Sequence, residues 1–507
     1  FFTIKLRWSE VNYFPYDTFW WQGIDGSRLL AHMSTIPYNG NPEDWATYNA
    51  TPLPSSALNG WARQANKHHR DVLMSYGWGD GGGGPTREML ESMRAMREMP
   101  AVPRHRTTTV RDFYRLMQAR YGDTLPIWNG ELYLETHQGT LTSQTRIKRW
   151  NHDAEVLLHD VEFLATFASL LDPAYVYPHD EFHWAWRIVC LNQFHDILPG
   201  SSIGAVYEDA GVQFGEVTAR LEVVKAAALA VITPYYDADV LVINTIAAHR
   251  AEVVALSTPT ATGSSDLISS WVPELGVQAI KIENASPQDE SSTLTATATL
   301  LENSFVRIEL NSRGDITCIY HHGAERELLP KGGIANQFQA YDDHPANFDA
   351  WNVEPPALAP LIALAQPAES VRVVEHGSLR ATLEITRRIL DSRITQRITL
   401  TFNSALITFE TEIDWQEKFA LLKVAFPLAV HAKNATYGIQ WGHVERPTHS
   451  NTTWDAAQYE VAHHGWFDLS ESGFGVSLLD DGIYAVSYTH LRAHETKANL
   501  VCRLLLE

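Results

Sequence analysis

A histidine and an aspartate stand side by side in residues 192–202, at the end of an apolar helical pattern. Apolar residues cover nearly every helical face of residues 182–191, which is typical of a helix enclosed by others. A proline and a glycine follow, so His195 and Asp196 are predicted to close the last helical turn. A neutral imidazole beside a carboxylate suits a metal ligand whose polar neighbour binds substrate. The plainer alternative is a core histidine that is hydrogen-bonded to Asp196.

A second chemical feature is the glycine-rich stretch at residues 77–85, which reads Gly-Trp-Gly-Asp-Gly-Gly-Gly-Gly-Pro. It follows a strand predicted at residues 72–76 and precedes a helix predicted at 86–96, with Thr86 as N-cap. Neither Gly-Lys-Ser/Thr nor GxGxxG spacing accompanies it, which argues against a nucleotide-binding loop. Glycines let the backbone approach a bulky ligand while presenting one polar group, here Asp80. A surface turn without function is the alternative.

A third feature, residues 127–140, mixes aromatic, carboxylate and imidazole side chains. An aromatic ring can face the apolar side of a sugar, while acids and amides bind its hydroxyls. Trp128, Glu131 and His137 are therefore candidates for a sugar site. The alternative is a structural loop in which Trp128 is simply buried.

The composition limits the partners that this chain can bind. It has 507 residues, with 39 basic against 60 acidic residues and a formal charge of -21, which argues against a phosphate-binding surface and hence against nucleic acid. No apolar run reaches the 18 or so residues of a membrane-spanning helix. Three widely spaced cysteines suggest neither a disulfide framework nor a cysteine metal site, and they favour a reducing compartment.

The chain is long enough for about three domains, each with its own hydrophobic core. Residues 1–122 alternate short apolar runs with turn residues, as in an α/β region, with a strand predicted at 29–32. In residues 123–235 apolar residues recur at steps of three and four, which predicts a three-helix bundle with helices at 147–171, 182–196 and 203–231.

The pattern changes again after residue 235. Residues 236–486 alternate apolar with polar side chains, which indicates a large antiparallel β-sandwich region. Residues 487–507 break with this acidic, β-rich sequence, and we expect them to be a non-native tail. The expected fold class is thus multidomain, with α/β, all-α and all-β parts in that order.

Taken together, the motifs resemble the glycoside hydrolase family 38 α-mannosidases, and among them the cytosolic and bacterial type. Five stretches carry the likeness: residues 79–86, 128–133, 137–140, 192–196 and 440–449. The likeness covers most of residues 1–484. Several separated motifs in the right order are more specific than any one of them.

The resemblance implies a catalytic α/β barrel, of which residues 1–122 would be the C-terminal part, followed by the bundle and the sandwich domains. It also implies a retaining, exo-acting enzyme that cuts terminal α-mannosides of oligosaccharides with one zinc ion. His195 would be a zinc ligand, Asp196 would bind mannose hydroxyls, and Asp80 lies where the acid/base is expected. Three further residues would border the sugar: Trp128, Glu131 and His137.

Because the sequence contains no His-x-His-x-Asp, we expect it to lack the family's first pair of metal ligands and its nucleophilic aspartate. Since the chain starts without Met, we expect a fragment that is inactive alone, with the nucleophile and the other zinc ligands upstream. A cytoplasmic protein is expected, and a homo-oligomer is left open. The alternatives are a noncatalytic carbohydrate-binding or scaffold protein, or another metal-dependent hydrolase that uses His195 and Asp196.

Overall fold

The computed structural model describes residues 1–41, 43–67, 69–259, 265–281, 294–487, 491–495 and 500–506. The chain forms two compact units. The first comprises Phe1–His137 together with Ser450–Gln458, and the second comprises Gln138–His449 together with Tyr459–Glu507. The sequence predicts a first boundary after residue 122, whereas contacts within the structure place it after residue 137.

The first unit contains a mixed four-stranded sheet. Its strands are β1 (Phe2–Thr3), β2 (Thr18–Gln22), β3 (Arg28–Met33) and β4 (Ile127–Asn129), in the order β1-β3-β2-β4. Strands β2 and β3 form an antiparallel hairpin, while β1 runs parallel to β3 and β4 parallel to β2. The predicted barrel is not confirmed, because the hairpin reverses the chain direction within the sheet.

The first unit also contains helices: α1 (Pro54–Ala62), α2 (Arg87–Met96), α3 (Val110–Tyr121) and a short helix, Thr453–Ala457. The prediction of a helix capped by Thr86 is confirmed, since the Thr86 hydroxyl accepts the Met89 N–H. The strand predicted at 29–32 is confirmed by β3. The strand predicted at 72–76 is wrong, because the Leu73 N–H donates to the His32 ring rather than to a neighbouring strand.

Three long helices open the second unit: α4 (Thr145–Leu171), α5 (His179–Asn192) and α6 (Gly204–Ile232). Side chains from all three share one buried core, with Leu158 of α4, Val189 of α5 and Leu221 of α6 fully enclosed. The predicted bundle is confirmed in its three helices. Helix α5 ends at Asn192, earlier than predicted, so the His-Asp pair lies in the turn that follows.

The rest of the second unit is antiparallel β-structure. Its strands are β5 (Val240–Ile243), β6 (Arg250–Pro259), β7 (Ser265–Val272), β8 (Val277–Ile280), β9 (Thr295–Thr297), β10 (Leu300–Glu302), β11 (Val306–Leu310), β12 (Ile316–His321), β13 (Arg326–Glu327), β14 (Gln337–Asp342), β15 (Leu361–Leu364), β16 (Ser370–His376), β17 (Arg380–Ile389), β18 (Ser392–Thr401), β19 (Ile407–Asp414), β20 (Ala420–Phe426), β21 (Asn434–Ile439), β22 (Gly442–Pro447), β23 (Glu460–Ala462), β24 (Trp466–Glu471), β25 (Phe474–Asp480), β26 (Ala485–Ser487), β27 (Leu491–Glu495) and β28 (Leu500–Leu506). The three larger sheets have the orders β13-β12-β11-β10-β9, β15-β14-β20-β27-β26-β23 and β16-β17-β18-β19-β28-β25-β24-β21-β22. Alternating burial along β18 and β19 matches the predicted period of two.

The predicted non-native tail, residues 487–507, includes two described strands. Strand β27 pairs with β20 and β26, and β28 lies between β19 and β25. Residues 488–490, 496–499 and 507 lie outside the described part. Whether this tail is native stays a prediction. Among the described residues, no helix combines the length and apolar character needed to cross a membrane.

A buried ion pair within the β region allows a test of the packing. Lys423 of β20 is hydrogen-bonded to Glu460 of β23, and their side chains are only 6% and 2% exposed. Replacing one partner leaves the other charge buried, which typically costs about 3–5 kcal/mol. We therefore expect Lys423→Met to lower the free energy of unfolding by about that amount in urea denaturation, and the double variant Lys423→Met/Glu460→Met to regain most of it.

The matched control is Arg388→Met, which breaks the half-exposed pair between Arg388 and Glu369. Exposed pairs contribute only about 0–1 kcal/mol. Equal losses for Lys423→Met and Arg388→Met would contradict the importance of the buried pair.

Candidate functional site

The aspartate of the glycine-rich loop is fixed by two neighbouring residues of the first unit. The Tyr48 hydroxyl donates to Asp80 Oδ1 at 2.8 Å, and the Asp80 N–H donates to Asn49 Oδ1 at 2.9 Å. The Gly77 N–H adds a bond to the Ala50 carbonyl. The loop is therefore attached along residues 48–50, and this attachment gives the Asp80 carboxylate a defined direction.

Glycine is required at two positions for this attachment. A Cβ on Gly79 would lie 2.9 Å from Tyr48 Cδ2, so any side chain would push the tyrosine away. Gly77 has a φ of 120°, which other residues rarely adopt. The sequence analysis identified Asp80 but missed Tyr48, which lies 32 residues earlier and has no motif of its own.

Aromatic and basic side chains lie beside Tyr48. The Lys5 ammonium is 3.7 Å from the centre of the Trp8 ring and 5.7 Å from that of Tyr48. Trp8 in turn contacts Trp45, at 5.1 Å between ring centres, and His137, which meets it edge-on at 5.8 Å. Successive contacts through Trp8 and Lys5 thus connect the predicted residue His137 to Tyr48, the partner of Asp80.

The protonation of His137 is set by its surroundings. Burial, and then the nearby Lys5 ammonium, lower the pKa of His137 below its ordinary value. The ring is therefore neutral at pH 7 and can both donate and accept hydrogen bonds. A cavity of about 500 Å³ opens beside this group, with Trp8 and Trp45 in its wall together with Arg7, Arg63 and Glu43. Indole faces with charged groups around them suit a sugar ligand.

Trp128 and Glu131 have other contacts. The Trp128 ring meets Phe14 edge-on at 4.8 Å and packs near Tyr16, within the hydrophobic core of the first unit. Its indole N–H donates to the Glu131 backbone carbonyl at 3.2 Å. The structure thus gives Trp128 a packing role, while a role at a sugar site for Trp128 or Glu131 stays a prediction.

In the second unit, two side-chain amides fix the end of α5. The Asn192 amide donates to Gln213 Oε1 on α6 at 2.7 Å. The Gln193 amide donates to Asn151 and to Glu155 on α4, at 2.9 Å and 2.7 Å. These bonds tie α5 to both neighbouring helices, and the chain leaves the helix immediately afterwards.

His195 and Asp196 project from the turn that follows. His195 Nε2 lies 3.4 Å from Asp196 Oδ2, and their side chains are 75% and 39% exposed. The alternative of a core histidine is therefore wrong. An accessible imidazole nitrogen beside a carboxylate oxygen can contact a ligand or a metal ion from one side.

Hydroxyl groups hold Asp196 in place. Ser201 Oγ donates to Asp196 Oδ1 at 3.1 Å, which leaves Oδ2 directed at His195. Ser202 Oγ donates to the Asp196 carbonyl at 2.6 Å, and the Tyr207 hydroxyl accepts the Ser202 N–H at 2.9 Å. Both oxygens of the carboxylate thus have set directions before any ligand binds.

The buried side chain of Lys148 holds the same turn through two hydrogen bonds to backbone carbonyls. Lys148 Nζ donates to the carbonyls of Ser143, at 2.6 Å, and Leu198, at 2.8 Å. Its side chain is buried, and burial lowers the pKa of Lys148 to about 7. Gly200 completes the contact: its φ is 91°, and a Cβ there would lie 2.3 Å from the Ser143 oxygen.

The described residues alone do not fit a zinc ion. Among them, no group of three or more His, Cys, Asp or Glu side chains is placed to hold a metal. Zinc sites in proteins use three or four protein ligands in tetrahedral geometry. His195 and Asp196 would supply at most two, so no chemical step is assigned to a metal here.

The fold has a close counterpart among solved structures. The crystal structure of an alpha-mannosidase from Enterococcus faecalis V583 superposes with a TM-score of 0.77 at 16% identity, covering 97% of this chain and 69% of that one. The chain therefore shares the multidomain fold of that protein.

Family models match along most of the chain. Residues 1–131 match the glycosyl hydrolases family 38 N-terminal domain, residues 135–232 the alpha mannosidase middle domain, and residues 301–499 the glycosyl hydrolases family 38 C-terminal domain. The chain belongs to glycosyl hydrolase family 38. Matches to all three domains do not support the expectation of an inactive fragment.

Named relatives agree with this assignment. Alpha-mannosidase 2C1 of Homo sapiens is 35% identical over 499 residues, covering 96% of this chain and 47% of the human protein. An alpha-mannosidase of Saccharomyces cerevisiae is 34% identical over 518 residues, covering 97% and 44%. The chain spans about half the length of these relatives.

The brace made by Lys148 can be tested through stability. The unfolded chain keeps the Lys148 proton up to a pKa near 10.5, whereas the folded chain releases it near 7. The unfolded state therefore binds more protons within this window, and the Lys148 contribution to stability rises with pH by up to about 1.4 kcal/mol per unit. Lys148→Met removes this pH-dependent contribution to stability. It also leaves two carbonyls without their hydrogen-bond donor, which costs about 1–3 kcal/mol for each carbonyl.

We expect the stability of the wild type relative to Lys148→Met, measured by urea denaturation, to increase as the pH rises from 7 to 9. The control is Lys225→Met, which removes a partly exposed lysine of α6. A difference between wild type and Lys148→Met that stays constant with pH would contradict the lowered pKa.

Proposed function

We propose that the protein carrying this sequence is an α-mannosidase, which hydrolyses terminal α-mannosyl residues of oligosaccharides with retention of configuration. The observation that carries the proposal is the Asp80 carboxylate, held at 2.8 Å by the Tyr48 hydroxyl in the loop where the family resemblance expects the acid/base. The relatives named alpha-mannosidase support it.

Asp80 is proposed to protonate the leaving glycosidic oxygen and then to activate water. Such proton transfer requires a carboxyl group fixed within hydrogen-bond reach of that oxygen. The Tyr48 hydroxyl occupies one carboxylate oxygen, and the Asn49 amide fixes the backbone of Asp80. The second oxygen is then the one available for the substrate.

Retaining hydrolysis also needs a nucleophilic carboxylate about 5 Å from the acid/base. We assign no nucleophile among the described residues. Lys5, which lies beside Tyr48, and the contacting rings of Trp8 and His137 are proposed to surround the sugar through an ammonium, an indole face and a neutral imidazole.

In the second unit, Asp196 is proposed to accept hydrogen bonds from mannose hydroxyls. Its carboxylate is accessible and its direction is set by Ser201, so it can bind a hydroxyl without reorganising. For Zn²⁺, the proposal is limited to His195 Nε2 as a single ligand. A cytoplasmic location, which is expected from the sequence, is a further proposal.

The acid/base role is tested on p-nitrophenyl α-D-mannopyranoside, with the β-anomer as substrate control. General acid/base catalysis contributes about 10²–10⁴-fold, so Asp80→Asn should lower kcat by at least about 100-fold. Tyr48→Phe should lower it less, by about 10-fold, because the carboxylate remains but loses the bond that orients it.

The matched control is Asp123→Asn, which changes an exposed aspartate of the same unit. The proposal predicts full activity for this control. Unchanged activity in Asp80→Asn, or mannose binding by the wild type without any hydrolysis, would contradict the proposal, and the latter would favour a noncatalytic carbohydrate-binding protein.

A further inference from the structure

A second polar cavity, of about 540 Å³, lies within the second unit. Three segments bound it: the chain that leads into α4, the loop between β14 and β15, and the loop between β19 and β20. Its volume is in the range of roughly 300–1,000 Å³ that is usual for small-molecule sites. The residues around His195 and Asp196 contribute only Gly200 to its wall.

Two wall residues of this cavity have unusual backbone conformations, and the wall segments are hydrogen-bonded to one another. Gln144 and Phe419, both in the wall, have left-handed backbones, with φ of 53° each. Such conformations cost about 1–3 kcal/mol in residues other than glycine, and they concentrate at ligand sites. The segments are also bonded to one another: the Ser143 hydroxyl donates to the Ala350 carbonyl, and the Asp343 N–H donates to the Phe419 carbonyl.

The polar groups in the wall carry charges of both signs. Asp343 and Asp349 supply carboxylates, while Arg146 and Lys418 supply cations. The remaining acid, Glu417, already accepts bonds from the Asp391 N–H and the Ser392 hydroxyl. With three carboxylates against two cations, the wall does not favour an anion. Its donors and acceptors suit a neutral ligand that carries several hydroxyl groups.

One edge of the cavity is aromatic. The Phe419 ring stacks on His344 with 4.7 Å between ring centres and 21° between ring planes. Phe419 is about half exposed, so one of its surfaces is accessible to a ligand. His344 is itself held by a 2.6 Å contact between its Nδ1 and Asp342. A fixed aromatic surface beside polar groups is the usual platform for the C–H face of a sugar ring.

Asp343 is suited to hydroxyl binding near neutral pH. Burial and then the neighbouring charge of Asp342 raise the pKa of Asp343 to about 6, and Asp349 adds to this. His344 and Lys423 act in the opposite direction. The carboxyl can therefore donate a hydrogen bond below that pH and accept one above it.

We propose that this cavity is a saccharide subsite that binds a neutral hexose of the oligosaccharide substrate. The inference rests on the proposed function for the identity of the sugar. Gly200, four positions after Asp196, lines the cavity, and Lys148 links the wall residue Ser143 to the same turn. The subsite and the His195–Asp196 pair are thus built on one braced segment, which suits two sugars of one chain.

The test is calorimetric titration of the protein with methyl α-D-mannopyranoside and with sulfur-linked α-mannobiose, whose thioglycosidic bond is not hydrolysed during the titration. Loss of one sugar-stacking ring typically weakens binding by about 10-fold, and we expect that loss for α-mannobiose in Phe419→Ala. Asp349→Asn, in an exposed part of the wall, should also weaken the binding of α-mannobiose.

The matched controls are Phe305→Ala and Asp209→Asn, which alter exposed residues of the same unit away from the wall. Both variants should bind α-mannobiose as the wild type does.

Wild-type affinity for α-mannobiose in both Phe419→Ala and Asp349→Asn would overturn the subsite. If Phe419→Ala unfolds, Asp349→Asn alone decides. The proposed function is tested separately by hydrolysis in Asp80→Asn, since that variant leaves the cavity intact. Weaker binding in the cavity variants together with full hydrolysis by Asp80→Asn would support the subsite and refute the assignment of the acid/base.

Discussion

The double hydrogen bond of Lys148 is the interaction on which the second unit's candidate sites depend. The buried Lys148 amino group bridges the Ser143 carbonyl, just before α4, and the Leu198 carbonyl, in the turn after α5. Burying an ammonium is costly, as its lowered pKa shows. Two satisfied carbonyls offset part of that cost, and the turn is held at a fixed distance from the start of α4.

The features near that turn depend on its fixed distance from the start of α4. Gly200 can approach the Ser143 backbone because it has no Cβ, and the hydroxyls after Asp196 then orient its carboxylate. The same segment forms one wall of the polar cavity. In the first unit, the candidate carboxylate is held by residues outside its own loop. The Tyr48 hydroxyl and the Asn49 amide fix Asp80 within the glycine-rich loop. Glycines give the loop its close approach but cannot hold it in place.

Sequence patterns predicted the parts of the fold that depend on local periodicity. The three bundle helices, the Thr86 cap and the alternating strands β18 and β19 all follow from spacing alone. The mixed sheet of the first unit could not be predicted, because short apolar runs do not reveal whether neighbouring strands are parallel. The early end of α5 also escaped prediction, since it depends on long-range bonds made by the Gln193 amide.

For the candidate sites, motifs identified Asp80, His195 and Asp196 but not the residues that orient them. Tyr48 lies far from Asp80 in sequence, and Lys148 resembles an ordinary surface lysine on an amphipathic helix. Their roles arise only from tertiary packing. Trp128 differs from Tyr48 and Lys148, because the motif did identify it as a candidate sugar-binding residue, whereas in the structure its ring packs against Phe14.

The most direct test of this account is amide hydrogen exchange in the turn, residues 194–202, compared between the wild type and Lys148→Met. If the ammonium fixes the turn, Lys148→Met will lose protection at the Ile197, Leu198 and Gly200 amides, which are hydrogen-bonded within the turn, while the middle of α6 stays protected. Unchanged protection of these three amides would show that the turn holds its shape without Lys148 and would contradict the account.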